Sequence, residues 1–168
     1  MNIFRANTSH IPLIRDLTMQ VWPQTYTPII GADQVTYMLD RFYNPGALTA
    51  QMNEQGHQFI IAEVDGMPAA FASYSEVEPG VYKLHKLYTT LAAQGKGLGR
   101  ALIDYIVADI RTKNASMLRL NVNIHNHAAK QFYARYGFRH LLDEDIDIGS
   151  GFFMNDHVLC LDIDYRTT

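Results

Sequence analysis

Only one cysteine, Cys160, occurs in the 168 residues. A lone thiol cannot close an intrachain disulfide, so a cystine-stapled scaffold is excluded and the usage agrees with a reducing compartment. Basic excess is also missing: 14 Lys and Arg stand against 17 Asp and Glu, a formal net charge of -3 with a pI near 6.1. General nucleic-acid binding depends on clustered Lys and Arg against phosphates, so no nucleic-acid partner is expected. Nowhere does an apolar run reach the roughly eighteen residues that a membrane helix needs. Residues 1–15 hold no basic stretch followed by an apolar segment of signal-peptide length. The expectation is a cytoplasmic protein without a membrane partner. Repeats, linkers and low-complexity tracts are absent as well, and this length suits one domain over residues 1–168.

Apolar material is plentiful, at 48% hydrophobic residues with 11% aromatics, and it is periodically arranged. Asn2 to Ala6 reads as a short strand, and Ser9 stands where an N-cap belongs. Ile11, Ile14, Leu17, Thr18, Val21 and Trp22 then follow at helical spacing, with Pro12 tolerated in the first turn. A second helix is predicted over Ala32 to Phe42 and a third before Gly56. The texture then changes to strands at Gln58 to Val64, Met67 to Val77 and Val81 to Thr90, broken at Asp65-Gly66 and Pro79-Gly80 as in an antiparallel meander. Leu98, Ala101, Leu102, Tyr105, Ile106 and Ile110 mark a helix leading to a strand at Met117 to Val122, a unit that predicts parallel pairing. Asn126 can cap a further helix stopped by Gly137, and two last strands lie near Phe138 to Ile146 and Phe153 to Ile163. The order predicts an α/β (α+β) fold: a mixed, mostly antiparallel seven-stranded sheet with helices on both faces.

Gln94-Gly95-Lys96-Gly97-Leu98-Gly99-Arg100 lies between a predicted strand and a predicted helix. Free backbone N–H groups and the positive end of the helix dipole favour an anion there, and glycine permits close approach. A Walker A loop would need Ser or Thr after Gly95-Lys96, where Gly97 stands. A Rossmann fingerprint would need glycine at Arg100 and no antiparallel meander before it.

This segment resembles the signature of the GNAT N-acetyltransferases, Gln or Arg, two residues, Gly, one residue, then Gly or Ala, which Gln94, Gly97 and Gly99 match. A second segment, from Asn126 through Ala129, Phe132 and Tyr133 to Gly137 and Phe138, resembles the same family's Asn-x-x-Ala-x-x-Phe-Tyr-x-x-x-Gly-Phe element. The resemblance covers Val81 to Asp164, while the N-terminal half shares only its element order. Leu84-His85-Lys86-Leu87-Tyr88 is most similar to the small bacterial polyamine acetyltransferase branch, with Thr89 and Thr90 departing from the usual spelling.

The resemblance implies acetyl-CoA as cosubstrate and no metal. It implies that backbone N–H groups of Gly95, Lys96, Gly97, Leu98, Gly99 and Arg100 wrap the CoA pyrophosphate beside Gln94. It further implies that Leu87, Tyr88 and Thr89 offer backbone N–H groups to the acetyl carbonyl and pantetheine arm, and that Asn126 holds the pantetheine or phosphate region. Transfer to an amine needs a neutral nucleophile, an oxyanion donor and a proton for the departing thiolate. Tyr133 is the candidate general acid, because a phenol with a pKa of about 10 stays protonated at neutral pH. His85 and Glu76 are the candidate bases.

Weaker signals surround these. Glu76 and Glu78, with Asp143-Glu144-Asp145 and Asp147, can line a site for a cationic amine, and Trp22, Tyr26 and Tyr43 can add cation–π contacts. Taken singly, an acidic turn is more often solvated and an aromatic more often core. His125-x-His127, with His140 and His157 elsewhere, has no Cys or carboxylate at ligand spacing, so no metal site is predicted. Cys160 is expected to be buried rather than nucleophilic. The expected acceptor is a small amine or polyamine. The alternatives are a protein lysine or N-terminus, or a non-catalytic acyl-CoA sensor. The resemblance leaves monomer and homodimer open.

Overall fold

The computed structural model describes residues 1–163; Asp164, where the family resemblance ends, and the remaining residues to 168 lie outside the described residues. The elements are β1 (Asn2–Arg5), α1 (Ile11–Ile30), α2 (Ala32–Phe42), α3 (Pro45–Asn53), β2 (Gln58–Val64), β3 (Met67–Glu78), β4 (Val81–Thr89), α4 (Leu98–Arg111), β5 (Met117–Asn123), α5 (His127–Tyr136), β6 (Arg139–Gly149) and β7 (Phe152–Asp162). The seven strands form one sheet in the order β1-β2-β3-β4-β5-β7-β6. Parallel pairing joins β4 to β5, as the strand, helix, strand unit predicts, and antiparallel pairing joins β1 to β2, β2 to β3, β5 to β7 and β6 to β7. The chain divides into two compact units, each drawn from two stretches: Met1–Ser75 with Lys86–Tyr105, and Glu76–His85 with the segment from Ile106 onward.

The first unit carries the N-terminal helices. Its entry differs from the sequence expectation, because Ser9 does not cap α1: His10 holds the N-cap position without a side-chain cap bond, and Asn7 caps the turn before it, its side chain accepting from the Ser9 N–H at 2.9 Å and its N–H donating to His10 Nδ1 at 3.0 Å. These bonds hold a short 3₁₀ turn, Thr8–His10, that leads into α1. Helix α1 runs on past Trp22 to Ile30 and includes Pro23 and Pro28. Its buried stripe of Ile11, Ile14, Leu17, Thr18, Val21 and Trp22 stops where the prolines begin, which is why apolar spacing marks only the first part. The β2–β3 turn is made by Asp65 and Gly66, both left-handed at φ 53 and 76, the geometry that suits the twist of a hairpin. Phe59, Ile60, Ile61 and Phe71 are almost fully buried in this unit.

Strand β5 of the second unit alternates strictly: Leu118, Leu120 and Val122 are buried, while Met117, Arg119, Asn121 and Asn123 are half-buried. One face of this part of the sheet is therefore apolar and the other polar. On β7 both kinds of neighbour are covered at Val158, Leu159 and Cys160, and the Cys160 thiol is fully buried as expected. Burial also raises its pKa, which leaves little thiolate for nucleophilic chemistry. No helix among the described residues is long and apolar enough to cross a membrane.

Candidate active site

In the first unit, β4 ends at Thr89 and the chain passes through a short 3₁₀ turn, Leu91–Ala93, before Gln94. Gln94 is extended at φ -63 and ψ 148, and Gly95 and Gly97 both take φ 78, a left-handed conformation that a side chain disfavours. A Cβ built at either glycine meets nothing within 4 Å, so backbone conformation, not crowding within the chain, accounts for glycine there. The first helical bond of α4 runs from the Ala101 N–H to the Gly97 carbonyl at 3.0 Å. The N–H groups of Leu98 and Gly99 precede it and have no intrahelical acceptor. Gln94, Gly95, Lys96, Gly97 and Arg100 are exposed and Gly99 is half-buried, whereas Leu98 is turned into the core. An open, N–H-rich, glycine-shaped loop at the positive end of a helix is suited to a pyrophosphate.

The end of β4 is anchored by a backbone bond just beyond it and by its side chains. Thr90 donates its N–H to the Ala69 carbonyl at 2.9 Å. Tyr88 sits in an aromatic group with Trp22, Tyr26 and Phe71, ring centroids 5.9, 6.3 and 5.6 Å away. Tyr43 packs on Trp22 at 5.4 Å, and its hydroxyl lies 3.5 Å from that of Tyr88. Burial pushes both phenols above their ordinary pKa. The cation held by this group is internal: Lys86 Nζ lies 5.1 Å from the Tyr43 ring centroid and 5.6 Å from that of Phe59, and donates to Gln51 Oε1 at 2.8 Å. Leu87, Tyr88 and Thr89 are half-buried, so their backbone can serve a ligand while the Tyr88 ring serves packing.

In the second unit, Asn126 caps α5, its side chain accepting from the Ala129 N–H at 3.3 Å. Tyr133 is buried at 9% exposure, edge-on to Phe132 and Phe138 with centroids 5.3 and 5.5 Å apart. Helix α5 ends at Gly137, φ 124, whose N–H returns to the Tyr133 and Ala134 carbonyls at 3.2 Å. That motif fixes the turn from which Tyr133 projects. His85 is half-buried on β4. Glu76 is exposed, and its carboxylate closes the β3–β4 turn by accepting from the Gly80 N–H at 2.9 Å. Glu78 is also exposed, with Arg119 3.7 Å away.

Sequence reasoning missed a polar group on the sheet. On the polar face of β5, β7 and β6, Asn121 donates from Nδ2 to Glu144 Oε2 at 2.9 Å and to Asp156 Oδ2 at 3.3 Å. Asp156 is 2% exposed, and its other oxygen, Oδ1, has no hydrogen-bond partner among the described residues. Burial raises the Asp156 pKa, and Lys83 is held below the ordinary lysine range by burial, with Glu144 and Asp156 opposing that shift. A half-satisfied buried carboxylate is costly and invites a cationic or hydrogen-bonding ligand. Of the acidic residues singled out by sequence, Asp143, Asp145 and Asp147 are exposed, while Glu144 joins this group from the surface.

The strand order is that of an acetyltransferase fold, and comparison with known proteins agrees. Residues 27–153 match the model of the acetyltransferase (GNAT) domain, more than half of the chain, and the protein belongs to that family. It is an acetyl-CoA-dependent N-acetyltransferase, and the chemistry of this family needs no metal. An uncharacterised N-acetyltransferase of Lactobacillus delbrueckii subsp. lactis is 24% identical over 144 residues, covering 82% of this chain and 83% of that protein. The PaiA N-acetyltransferase from Thermoplasma acidophilum, solved in complex with coenzyme A, superposes with a TM-score of 0.80 at 19% identity, over 96% of this chain and 99% of that one. The ribosomal-protein-S18-alanine N-acetyltransferase from Escherichia coli superposes with a TM-score of 0.73 at 18% identity, over 99% and 96%.

Proposed function

We propose that this enzyme transfers acetyl from acetyl-CoA to a small amine carrying a second positive charge, a polyamine above all, by direct attack in the cytoplasm. The observation that carries the acceptor class is Asp156, a carboxylate at 2% exposure with one oxygen unpartnered among the described residues, beside Glu144 and Asn121. An ammonium group supplies the donors that this oxygen lacks, and its charge favours the ionised carboxylate. The whole chain then serves as a single acetyltransferase domain.

In the proposed reaction the glycine loop from Gln94 to Arg100 holds the CoA pyrophosphate, and Asn126 acts on the pantetheine or phosphate region. The neutral amine nitrogen attacks the thioester carbonyl carbon. The oxygen that gains charge is met by backbone N–H groups of Leu87 to Thr89, donors that need no reorganisation. As the tetrahedral intermediate collapses, the C–S bond breaks and Tyr133 gives its phenolic proton to the departing sulfur. The attacking nitrogen loses its proton to His85, directly or through water. His85 is preferred to Glu76 as base because an imidazole is intrinsically a stronger base than a carboxylate.

Steady-state kinetics with spermidine and with a simple alkyl monoamine test the acceptor class. The wild-type enzyme is expected to prefer spermidine, and Asp156→Asn to raise the spermidine KM about ten-fold or more while leaving the monoamine KM unchanged. Equal use of both amines, or turnover confined to a peptide with an N-terminal alanine, would refute the polyamine assignment.

A further inference from the structure

We propose that the outer hairpin β6–β7 carries a binding site for a divalent transition-metal ion, made by His140, Asp143 and His157. It is distinct from the acetyl-transfer chemistry, which needs no metal. Spacing in the sequence gives no hint of it, because residues three apart on a regular strand point to opposite faces. Strand β6 is not regular. Its register against β7 passes from His140↔Leu159 to Leu142↔Val158, so Leu141 is an extra residue, a β-bulge. The bulge resets the alternation and brings His140 and Asp143 to one face, and Asp143 lies directly opposite His157 across the ladder.

The side chains converge accordingly. Asp143 Oδ1 lies 2.7 Å from His140 Nε2 and 2.5 Å from His157 Nδ1, and the three ligand atoms lie within 4.8 Å of one another. The imidazoles stand edge-to-face, 5.0 Å between centroids and 86° between planes. In a tetrahedral site with bonds of about 2.0–2.1 Å, ligand atoms sit roughly 3.3–3.5 Å apart. The carboxylate oxygen must therefore recede slightly from both rings while the rings close on each other. Side-chain exposures of 52% for His140 and 67% for Asp143 leave room for that rotation, and 25% for His157 keeps one ligand held by its surroundings.

The donor set selects the ion. Two imidazole nitrogens and one carboxylate oxygen suit Zn²⁺, Co²⁺, Ni²⁺ or Cu²⁺ rather than Mg²⁺ or Ca²⁺, which prefer all-oxygen shells. A carboxylate on an exposed strand is ionised at neutral pH, so the anionic ligand is available. Exposure leaves a fourth position for water. Both strands of the hairpin supply ligands, so a bound ion cross-links β6 to β7 and stabilises the folded chain by mass action.

The test uses tag-free full-length protein, stripped with EDTA and titrated with Zn²⁺ by calorimetry and with Co²⁺ by visible absorption. One equivalent of each is expected to bind, with d–d absorption from nitrogen-ligated Co²⁺ and a rise in melting temperature on adding Zn²⁺. His157→Ala, Asp143→Asn and His140→Gln should each weaken binding at least about ten-fold while the far-ultraviolet circular dichroism stays wild-type. His125→Ala with His127→Ala should bind as the wild type does. Absence of saturable binding, binding untouched by the three substitutions, or binding lost instead in the His125 and His127 variant would each overturn the proposal.

Discussion

Replacing Gly97 by alanine separates the two demands placed on that position, backbone conformation and access. Gly97 takes φ 78, and a Cβ there meets nothing within 4 Å, so the only intramolecular penalty is the left-handed backbone, about 1–2 kcal/mol. For a chain of this size that lowers the melting temperature by about 2–8 °C. Gly66, at φ 76 in the β2–β3 turn and equally open, is the matched control with the same backbone penalty. If the loop holds the pyrophosphate, the new methyl at 97 also displaces at least one charge-assisted hydrogen bond, worth about 1.5–3 kcal/mol or roughly a 10- to 150-fold loss of affinity. Thermal unfolding with calorimetric titration of acetyl-CoA reads both quantities. Gly97→Ala and Gly66→Ala should lose similar stability, and only Gly97→Ala should lose acetyl-CoA affinity. Equal affinity in the two variants would refute the assignment of the loop.

Tyr133→Phe keeps the ring packed against Phe132 and Phe138, so acetyl-CoA should still bind while kcat falls about 10²-fold, read by calorimetry beside steady-state rates. Tyr88→Phe removes the hydroxyl's contacts with Tyr43, at 3.5 Å, and with Tyr26, and should leave acetyl-CoA affinity unchanged, because the proposed contact there is backbone. Burial raises the Asp156 pKa, so the folded state holds that proton more tightly than the unfolded chain and stability falls as pH rises through the window above the ordinary carboxylate range. Asp156→Asn should remove that component: its melting temperature should gain on the wild type from about pH 4 toward neutrality. An unchanged difference across that range would contradict the burial argument.

The sequence was most informative where one residue type meets one backbone requirement. Asp65-Gly66 marks a hairpin, Gly137 a helix end and Asn126 a cap, and each takes that place in the fold. Seven strands and the parallel β4–β5 pair follow from element order. Ser9 reads as the cap of α1 but lies inside a 3₁₀ turn capped by Asn7, because a short turn of this kind leaves no apolar period in the sequence to mark it. Asp156 was invisible because it stands between Asn155 and His157, a stretch that reads as solvated; its burial is set by strands distant in sequence. The His140, Asp143 and His157 group was invisible because a single bulged residue, Leu141, overturns the alternation on which strand reading depends.

The most direct test of the central claim is the release of free CoA thiol from acetyl-CoA by the purified protein, measured against a panel of polyamines, monoamines, amino acids and short lysine-containing peptides. Amine-dependent release, fastest with a polyamine and accompanied by one acetylated amine per thiol, is the predicted result. Thiol release that no amine stimulates, with calorimetry detecting no acetyl-CoA binding, would contradict the account.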